Sequence, residues 1–387
     1  MLLGCAAALL LIPVSVLLIE VLFALSNRPD GESLTGERPR LAIVIPAHNE
    51  ASVIAATLRS ILPQVHQSER VLVVADNCSD ETSRIAIAEG AAVVERRDAE
   101  RRGKGYAIDY GLRHLAPEAP DVVVIIDADC TVSAGAIDRL ARRCAATGRP
   151  VQALYLIRAP ISASLKLRVA QLAFLIKNQV RPTGLHRLHL PCQLVGSGMA
   201  FPWACIRKAK VASGHIVEDL QLGIELARMG SAPLFCPEAL LTSDFPVSPE
   251  GVRTQRVRWE HGHLATILCE AGGLLLHSIR SRDGQAASLA LDLSVPPLAL
   301  LTLLVVLAIC ASVALDTLAS IRVPLELTLA ELFMITCAIV FSWARYGRSV
   351  LSLRELTFAP IYVLSKVPLY GRFLANRQRE WIRSKRD

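Results

Sequence analysis

Aromatic residues are scarce in this sequence, and charged residues are few. Phe, Trp and Tyr make up 5% of the 387 residues and charged residues 20%, whereas hydrophobic residues make up 52%. The apolar excess therefore lies in aliphatic residues, and a composition this apolar excludes an ordinary soluble enzyme. We accordingly expect membrane segments.

Cysteine pairs and nucleic-acid signals are also missing. The ten cysteines include no CxxC pair, and most lie in the segment placed below in the cytosol, where disulfides are disfavoured. We interpret them as small buried hydrophobic residues. No arginine-rich or aromatic pattern indicates nucleic acid, so the net charge of +7 is interpreted as attraction to anionic membrane lipid.

Three long apolar segments predict membrane-spanning helices. Residues 1–25 are interrupted only by Glu20, residues 293–315 carry no charge, and residues 327–343 carry only Glu331. Each is close to the ~20 residues that a helix needs to cross the hydrocarbon core. For the first segment a cleaved signal peptide is the alternative. An anchor is the better interpretation, because the segment lacks a basic start and exceeds a typical signal core.

Basic residues near the C-terminus predict the orientation. A weaker apolar stretch, residues 356–369, is broken by two prolines and a lysine, and we expect it to lie on the membrane. The basic residues of this region are Arg345, Arg348, Arg354, Lys366, Arg372, Arg377, Arg379, Arg383, Lys385 and Arg386. The positive-inside rule places them in the cytoplasm, and three spans then place residues 26–290 on the same face of the plasma membrane.

Four parts of the chain follow from these segments. They are a transmembrane anchor at 1–27, a cytosolic domain at 28–284, two spans within 285–345, and an interfacial helix with a basic cytosolic tail at 346–387.

The cytosolic segment alternates between two patterns, which predicts an α/β fold. Short runs rich in Val and Ile predict buried strands at 41–47, 71–75, 92–94 and 122–126. Helical spacing lies between them, at 50–61, 80–89 and 104–115. This alternation indicates a parallel sheet covered on both faces, in which ligands bind beyond the carboxyl ends of the strands.

Acidic residues stand directly after two of the predicted strands. Asp76 is the first residue beyond the second strand and could accept hydrogen bonds from a ligand such as a nucleobase; Ser79 or Asp80 could instead cap the next helix. Asp127 and Asp129 flank Ala128 after the fourth strand. Two carboxylates there are unfavourable unless something compensates them, and a divalent cation with hard oxygen ligands, Mg²⁺ or Mn²⁺, would do so.

A glycine-flanked lysine, Gly103-Lys104-Gly105, opens the third predicted helix. A helix N-terminus with a lysine can receive phosphate oxygens, although a solvated surface lysine is the alternative. The dinucleotide fingerprint is missing after the first strand, where His48-Asn49-Glu50 stands, so a nicotinamide-dependent dehydrogenase is not expected.

Two later motifs have both structural and functional interpretations. Glu218-Asp219 begins an amphipathic helix, where acidic residues commonly oppose the helix dipole; if functional, one of them is a general base. In the run from Gln255 to Trp259, the indole could stack on a sugar while Gln255 and Arg258 bind phosphate. Alone, such a run is more often a membrane-interface anchor.

Taken in order, these motifs resemble the family 2 glycosyltransferases with a GT-A fold. The similarity is strongest to the membrane branch that includes cellulose, chitin and hyaluronan synthases and ceramide glucosyltransferase, with its series D, DxD, ED and Q-x-x-R-W. It covers residues 40–270, including the first-strand turn at 45–50, plus the flanking membrane helices. Val217, where the family usually has Thr, and Asp109, where Asn is common, depart from the pattern.

The resemblance implies a role for each motif. Asp76 would contact a uracil-type base, and Lys104 would lie near the nucleotide. Asp127 and Asp129 would hold the sugar nucleotide and the metal, and Asp219 would be the catalytic base beside Glu218. The other implied residues form a loop beneath the donor sugar and a group that binds the diphosphate and shapes the acceptor site: Gly196, Ser197, Gly198, Gln255, Arg258 and Trp259.

The expected function is inverting transfer of a sugar, with UDP as the carrier that the resemblance implies, to a lipid-linked or polysaccharide acceptor. Polysaccharide assembly, with export subunits as possible partners, ranks first. A glycolipid-forming transferase ranks second and a synthase with its own pore third. A silent nucleotide-sugar-binding scaffold is a further hypothesis. So is a zinc module formed by His186, His189, Cys192, His261 and His263, although their spacing matches no standard zinc pattern.

Overall fold

The structure forms two compact units. This computed structural model describes residues 2–26, 36–246 and 248–375. The sheet unit comprises residues 36–158 and 190–259, and the helical unit comprises residues 2–26, 159–189 and 260–375. Residues 159–189 and 260–284, which the sequence assigns to the cytosolic domain, therefore group with the membrane helices. The reason is that their helices pack on other helices of that unit.

An eight-stranded sheet is present in the described residues. Its strands are β1 (Leu41–Ala47), β2 (Arg70–Asp76), β3 (Ala92–Arg96), β4 (Val122–Ile125), β5 (Thr131–Val132), β6 (Val151–Arg158), β7 (Met199–Pro202) and β8 (Leu234–Asp244). Their order is β3-β2-β1-β4-β7-β6-β8-β5. The prediction of a parallel sheet holds for β1 to β4 and for the pairing of β6 with β8. It is wrong for β7, which runs antiparallel to β4 and β6, and for β5, which runs antiparallel to β8. β5 and β7 are too short to give a pattern in the sequence.

Helices surround the sheet and make up the second unit. In chain order they are α1 (Leu2–Ala24), α2 (Ile54–Ile61), α3 (Thr82–Ala88), α4 (Lys104–Leu115), α5 (Ala136–Thr147), α6 (Leu165–Leu175), α7 (Arg181–Arg187), α8 (Trp203–Ile206), α9 (Glu218–Arg228), α10 (Pro249–Thr266), α11 (Gly272–Ser281), α12 (Gly284–Ser294), α13 (Leu298–Ala319), α14 (Val323–Ser342), α15 (Leu353–Leu356), α16 (Ala359–Leu364) and α17 (Val367–Ala375). Shorter turns are 3₁₀ at Leu62–Gln64 and Ala116–Glu118, and π-helical at Ile176–Val180, Ile267–Ala271 and Trp343–Gly347.

The packing of α4 fixes the position of its N-terminus. A Cβ atom added to Gly111 would lie 2.9 Å from a methyl group of Val44 on β1 and 2.9 Å from one of Val74 on β2. Only glycine allows this close approach of the helix to two buried strands. As a result, Lys104, the first residue of α4, stands at the carboxyl ends of β1 and β2.

Three helices of the helical unit are long and apolar enough to cross a membrane, as predicted. Among the described residues these segments are Leu3–Ala24, Leu298–Ala319 and Val323–Gly347. The second begins at Leu298, five residues later than predicted, because Pro297 stands at its N-terminal cap. The predicted interfacial stretch 356–369 is divided among α15, α16 and α17, each far shorter than a membrane span. The basic residues Arg377, Arg379, Arg383, Lys385 and Arg386 lie outside the described residues.

A buried ion triad joins three helices of the helical unit. The Nε atom of Arg181 on α7 lies 2.6 Å from a carboxylate oxygen of Glu20 on α1, and its Nη2 atom lies 2.5 Å from one of Asp292 on α12. All three side chains are at most 6% exposed. Helix α7 also approaches α1 closely, since a Cβ atom on Gly184 would lie 1.9 Å from the carbonyl oxygen of Glu20. The triad explains the one charge in the first apolar segment.

Replacing Arg181→Met should destabilise the helical unit strongly, because it leaves two carboxylates buried without their cation. Breaking a buried pair in this way costs about 3–5 kcal/mol. We expect a melting temperature in detergent lower by several degrees. Arg40→Met is the matched control: its partner is Asp121 and the two side chains are 72% and 52% exposed, so the loss should be small. Equal melting temperatures for both variants would contradict the structural role of the triad.

Candidate functional site

A cleft lies at the carboxyl ends of the parallel strands. β1 has β2 on one side and β4 on the other, so the residues that follow these three strands meet at one edge. The cleft has a volume of about 140 Å³. It is lined by six of the residues predicted from the sequence: Asp76, Lys104, Asp127, Asp129, Gln255 and Arg258.

Lys104 is the centre of the charged groups at this cleft. Its Nζ atom lies 2.5 Å from Asp127 Oδ1 and 3.9 Å from Glu218 Oε1, and it donates to the carbonyl oxygen of Gly196 at 2.5 Å. Burial by itself lowers the pKa of Lys104, but Asp127, Glu218 and Asp219 together raise it above its ordinary value. The side chain is 17% exposed and stays charged, so the alternative of a solvated surface lysine does not fit.

A glycine-rich loop connects the DxD aspartates to the Glu218-Asp219 pair. Asp127 donates its backbone N–H to Ser197 Oγ at 3.0 Å, and Ser197 is fully buried. Gly196 and Gly198 have φ values of 94° and 70°, which favour glycine. A Cβ atom on Gly196 would lie 3.2 Å from Asp219 Oδ2, so the bare backbone of this loop allows Asp219 to stand beside it.

Glu218 and Asp219 are the first two residues of α9. Burial raises the pKa of Glu218 to about 7; the neighbouring charge of Asp219 adds to this effect and Lys104 opposes it. Burial and the neighbouring charge therefore both favour the protonated form of the Glu218 carboxyl. Neither residue lines the cleft directly, and both reach it through Lys104 and the loop.

Arg96 is a site residue that the sequence interpretation missed. Its Nη1 atom lies 2.6 Å from Asp76 Oδ1, and its Nη2 atom lies 2.9 Å from Asp98 Oδ2. Burial raises the pKa of Asp76 and Arg96 opposes that effect. Asp76 and Arg96 end neighbouring strands and are paired in register, so the available signal was a charged residue at the end of a strand beside Asp76. His48 Nδ1 lies 2.6 Å from the carbonyl oxygen of Asp76 and fixes the same corner.

Helix α10 supplies the other side of the cleft. Gln255 and Arg258 both line the cleft, because residues three apart lie on the same face of a helix. Trp259 is half-buried and does not line this cleft. The zinc hypothesis gains no support, since no group of three or more His, Cys, Asp or Glu side chains suited to a metal occurs within residues 2–26, 36–246 and 248–375.

Comparison with known proteins shows similarity along most of the chain. A family model described as "Glycosyltransferase like family 2" matches residues 39–262. "Probable glycosyltransferase YdaM" of Bacillus subtilis (strain 168) is 25% identical over 254 residues, which cover 62% of this chain and 59% of that protein. "Glucosyl-3-phosphoglycerate synthase" of Mycobacterium tuberculosis (strain CDC 1551 / Oshkosh) is 41% identical over 95 residues, covering 23% and 28% respectively. The chain thus spans less than two thirds of the length of these curated relatives.

One solved structure is similar over nearly the whole chain. The mannosyltransferase PcManGT from Pyrobaculum calidifontis, in complex with GDP-Man and Mn²⁺, matches with a TM-score of 0.59 and 18% identity, covering 97% of this chain and 100% of that chain. At this identity the likeness concerns the fold alone. It confirms the predicted α/β fold of the GT-A type with flanking membrane helices.

The raised pKa of Glu218 predicts a dependence of stability on pH. A carboxyl group whose pKa is higher in the folded than in the unfolded state stabilises the fold below its unfolded pKa. That stabilisation is lost as the pH rises through the folded pKa. The contribution of Glu218 to the melting temperature should therefore fall between about pH 4.5 and 7, so Glu218→Gln should remove this part of the pH dependence.

The control for this measurement is Glu225→Gln. Glu225 lies on the same helix but accepts a hydrogen bond from the backbone N–H of Lys210, away from the cleft. This variant should keep the wild-type slope of melting temperature against pH. A Glu218→Gln profile that coincides with the wild-type profile would contradict the burial and charge described for Glu218.

Proposed function

The chain belongs to glycosyltransferase family 2, and from this premise we propose that it transfers a sugar from a nucleoside-diphosphate sugar to a membrane-associated acceptor, with inversion at the anomeric carbon. The observation that carries the proposal is the single cleft at the carboxyl ends of β1, β2 and β4. It gathers the Asp76 carboxylate, the Lys104 ammonium group, the two carboxylates of Asp127 and Asp129, and the Gln255 and Arg258 side chains of α10.

The donor would occupy this cleft with its base near Asp76. The Asp76 carboxylate lines the cleft and would accept hydrogen bonds from the edge of a nucleobase, while the Arg96 guanidinium holds it in place. Lys104 and Arg258 present cationic groups, and Gln255 an amide, to the diphosphate. A UDP-sugar is the first candidate, on the resemblance to the UDP-using branch; the GDP-Man bound by PcManGT makes a GDP-sugar the second.

Asp127 and Asp129 suit a Mg²⁺ or Mn²⁺ ion. They present hard oxygen ligands on either side of Ala128 at the cleft wall, the ligand type that these ions prefer. Since no third metal-binding side chain joins them among the described residues, donor phosphate oxygens and water would complete the coordination. A bound divalent cation would neutralise charge that develops on the departing diphosphate.

Transfer would proceed by a single displacement. Asp219 takes the proton of the acceptor hydroxyl, whose oxygen forms the new bond to the anomeric carbon while the bond to the diphosphate breaks. The nucleoside diphosphate leaves with the bonding electron pair, and Lys104 and Arg258 stabilise its negative charge. Glu218 stands beside the base, and Lys104 keeps this acidic pair close to a cation.

The membrane helices support an acceptor that is itself at a membrane. The chain would be a multi-pass protein of the plasma membrane with its sheet unit at the cytoplasmic face. Exposed apolar residues before α16, on α16 and at the start of α17 support placement of these short helices at the membrane surface: Phe358, Ile361, Leu364 and Val367.

Polysaccharide assembly is the first candidate process, with export subunits as partners, and glycolipid formation is the second. The order of the DxD, Glu-Asp and Gln-x-x-Arg-Trp motifs supports the cellulose, chitin and hyaluronan synthase-like branch. A synthase with its own pore ranks third, because three candidate spans among the described residues are few for an enclosed path.

The proposal is tested by release of nucleoside diphosphate from a panel of UDP- and GDP-sugars. Detergent-purified protein is assayed with Mn²⁺ or Mg²⁺ and a membrane lipid extract. We expect metal-dependent turnover of one donor, and Asp219→Asn should lower kcat by about 10²–10⁴-fold while donor binding persists, because the general base is lost. The matched control is Asp121→Asn, because Asp121 precedes β4 at the opposite end from Asp127 and is half-exposed.

Two results would contradict the proposal. Turnover that is unchanged in Asp219→Asn would remove Asp219 as the base. Donor binding without turnover across the whole panel and a broad acceptor set would instead favour a silent nucleotide-sugar-binding scaffold.

A further inference from the structure

We propose that Gln152 is a positioning residue for this transfer: it holds the loop 195–198 so that the loop can orient Asp127, Lys104 and Asp219. This inference rests on the proposed function but concerns a side chain that lies outside the cleft. Gln152 is the second residue of β6, in the middle of the sheet, and is 1% exposed. A buried amide requires partners for its polar atoms.

The Gln152 side chain satisfies both its donor and its acceptor groups, and most of its bonds go to the loop. Its Oε1 atom accepts the backbone N–H of Val195 at 2.9 Å. Its Nε2 atom donates to the carbonyl oxygen of Ser197 at 2.8 Å and to that of Ala153 at 2.9 Å. One side chain therefore fixes the backbone on both sides of Gly196.

The loop needs this support because it lacks strand geometry. Gly196 and Gly198 both have positive φ values, so the backbone turns sharply at two positions within three residues. Two backbone hydrogen bonds join the loop to the sheet at Gly198. The Ala153 N–H donates to the Gly198 carbonyl at 2.8 Å, and the Gly198 N–H donates to the Ile125 carbonyl at 3.0 Å. The segment from Val195 to Ser197 is the part that Gln152 holds.

This segment contacts three residues of the proposed machinery, and Ser197 Oγ also lies 3.1 Å from Cys130 Sγ. The Gly196 carbonyl accepts from Lys104 Nζ, and Ser197 Oγ accepts the backbone N–H of Asp127. Asp219 Oδ2 lies close to Gly196: a Cβ atom added to this glycine would be 3.2 Å from it. A displaced segment would therefore change the positions of the metal-binding carboxylate, the buried cation and the base together.

The test compares Gln152→Met with Gln152→Glu. Met has a similar length but neither donates nor accepts strongly, so the segment loses its hydrogen bonds. Glu keeps an acceptor for Val195 N–H but offers no donor to Ser197 when ionised. Full-length protein in detergent is measured in three ways: binding of UDP or GDP with Mn²⁺ by calorimetry, the Mn²⁺ activation constant, and kcat and KM for the accepted donor.

We expect both variants to bind the Mn²⁺–nucleoside diphosphate about 10–100-fold more weakly and to need more Mn²⁺, as for lost supporting contacts at metal sites. Arg38→Met is the matched control for a general loss of stability. Arg38 is largely buried, pairs with Glu69 and Asp138, and precedes β1 at the opposite edge of the sheet. It should lower the melting temperature and leave nucleotide affinity and Mn²⁺ activation unchanged.

The outcomes separate this inference from the proposed function. Wild-type binding and Mn²⁺ activation in Gln152→Met would overturn the role of Gln152, and so would equal losses in Arg38→Met. If Gln152→Met does not fold, Gln152→Glu decides by the same criteria. A wild-type protein that binds the nucleotide but transfers no sugar overturns the proposed function alone, and the binding comparison still decides the role of Gln152. No nucleotide binding by the wild-type protein overturns both.

Discussion

The candidate site depends on one largely buried ammonium group, that of Lys104. Three carboxylates, those of Asp127, Glu218 and Asp219, raise its pKa, and they would repel one another in a partly desolvated cleft without it. The group is held in place from two directions. The close packing of α4 at Gly111 sets the start of the helix, and the Gly196 carbonyl accepts a hydrogen bond from Nζ. Helix packing, loop conformation and charge balance are thus linked at one atom.

The same arrangement has a consequence for the order of binding. Asp127 is paired with Lys104, so a divalent cation meets one carboxylate already compensated and a second, Asp129, on the other side of Ala128. Oxygen-preferring ions need six or more ligands, which two carboxylates do not supply. Under the proposed function, the cation and the nucleoside diphosphate would therefore bind together, because the diphosphate oxygens would complete the coordination of the cation. The loop 195–198, which Gln152 supports, would then hold Lys104 and Asp127 in their positions relative to each other.

Much of this site could be predicted from the sequence, for a physical reason. Parallel strands bring their carboxyl ends to one edge, so Asp76 and Asp127 could be placed near each other once β1, β2 and β4 were recognised as apolar runs. Lys104 could be placed at the same edge because it is the first residue of the predicted helix α4. Arg96 gave only a weak signal, as a charged residue at the end of a strand, and Gln152 gave none. Their importance lies in contacts with Asp76 and with the loop 195–198, and the sequence does not reveal which segments lie side by side. The antiparallel β7 and the grouping of residues 159–189 with the membrane helices depend likewise on long-range packing. In the sequence, Glu20 is only a charge that interrupts the first apolar segment. The structure pairs it with Arg181, which also pairs with Asp292.

The most direct test of this account is electron paramagnetic resonance of Mn²⁺ titrated with purified protein, with and without UDP or GDP. The signal of free Mn²⁺ should fall below the level seen with nucleotide alone only when the protein and the matching nucleoside diphosphate are both present. Asp129→Asn should abolish that extra binding, whereas Asp121→Asn should preserve it. Tight Mn²⁺ binding without nucleotide, or binding that is unaffected by Asp129→Asn, would contradict a site in which the Asp127–Ala128–Asp129 turn and the donor hold the cation jointly.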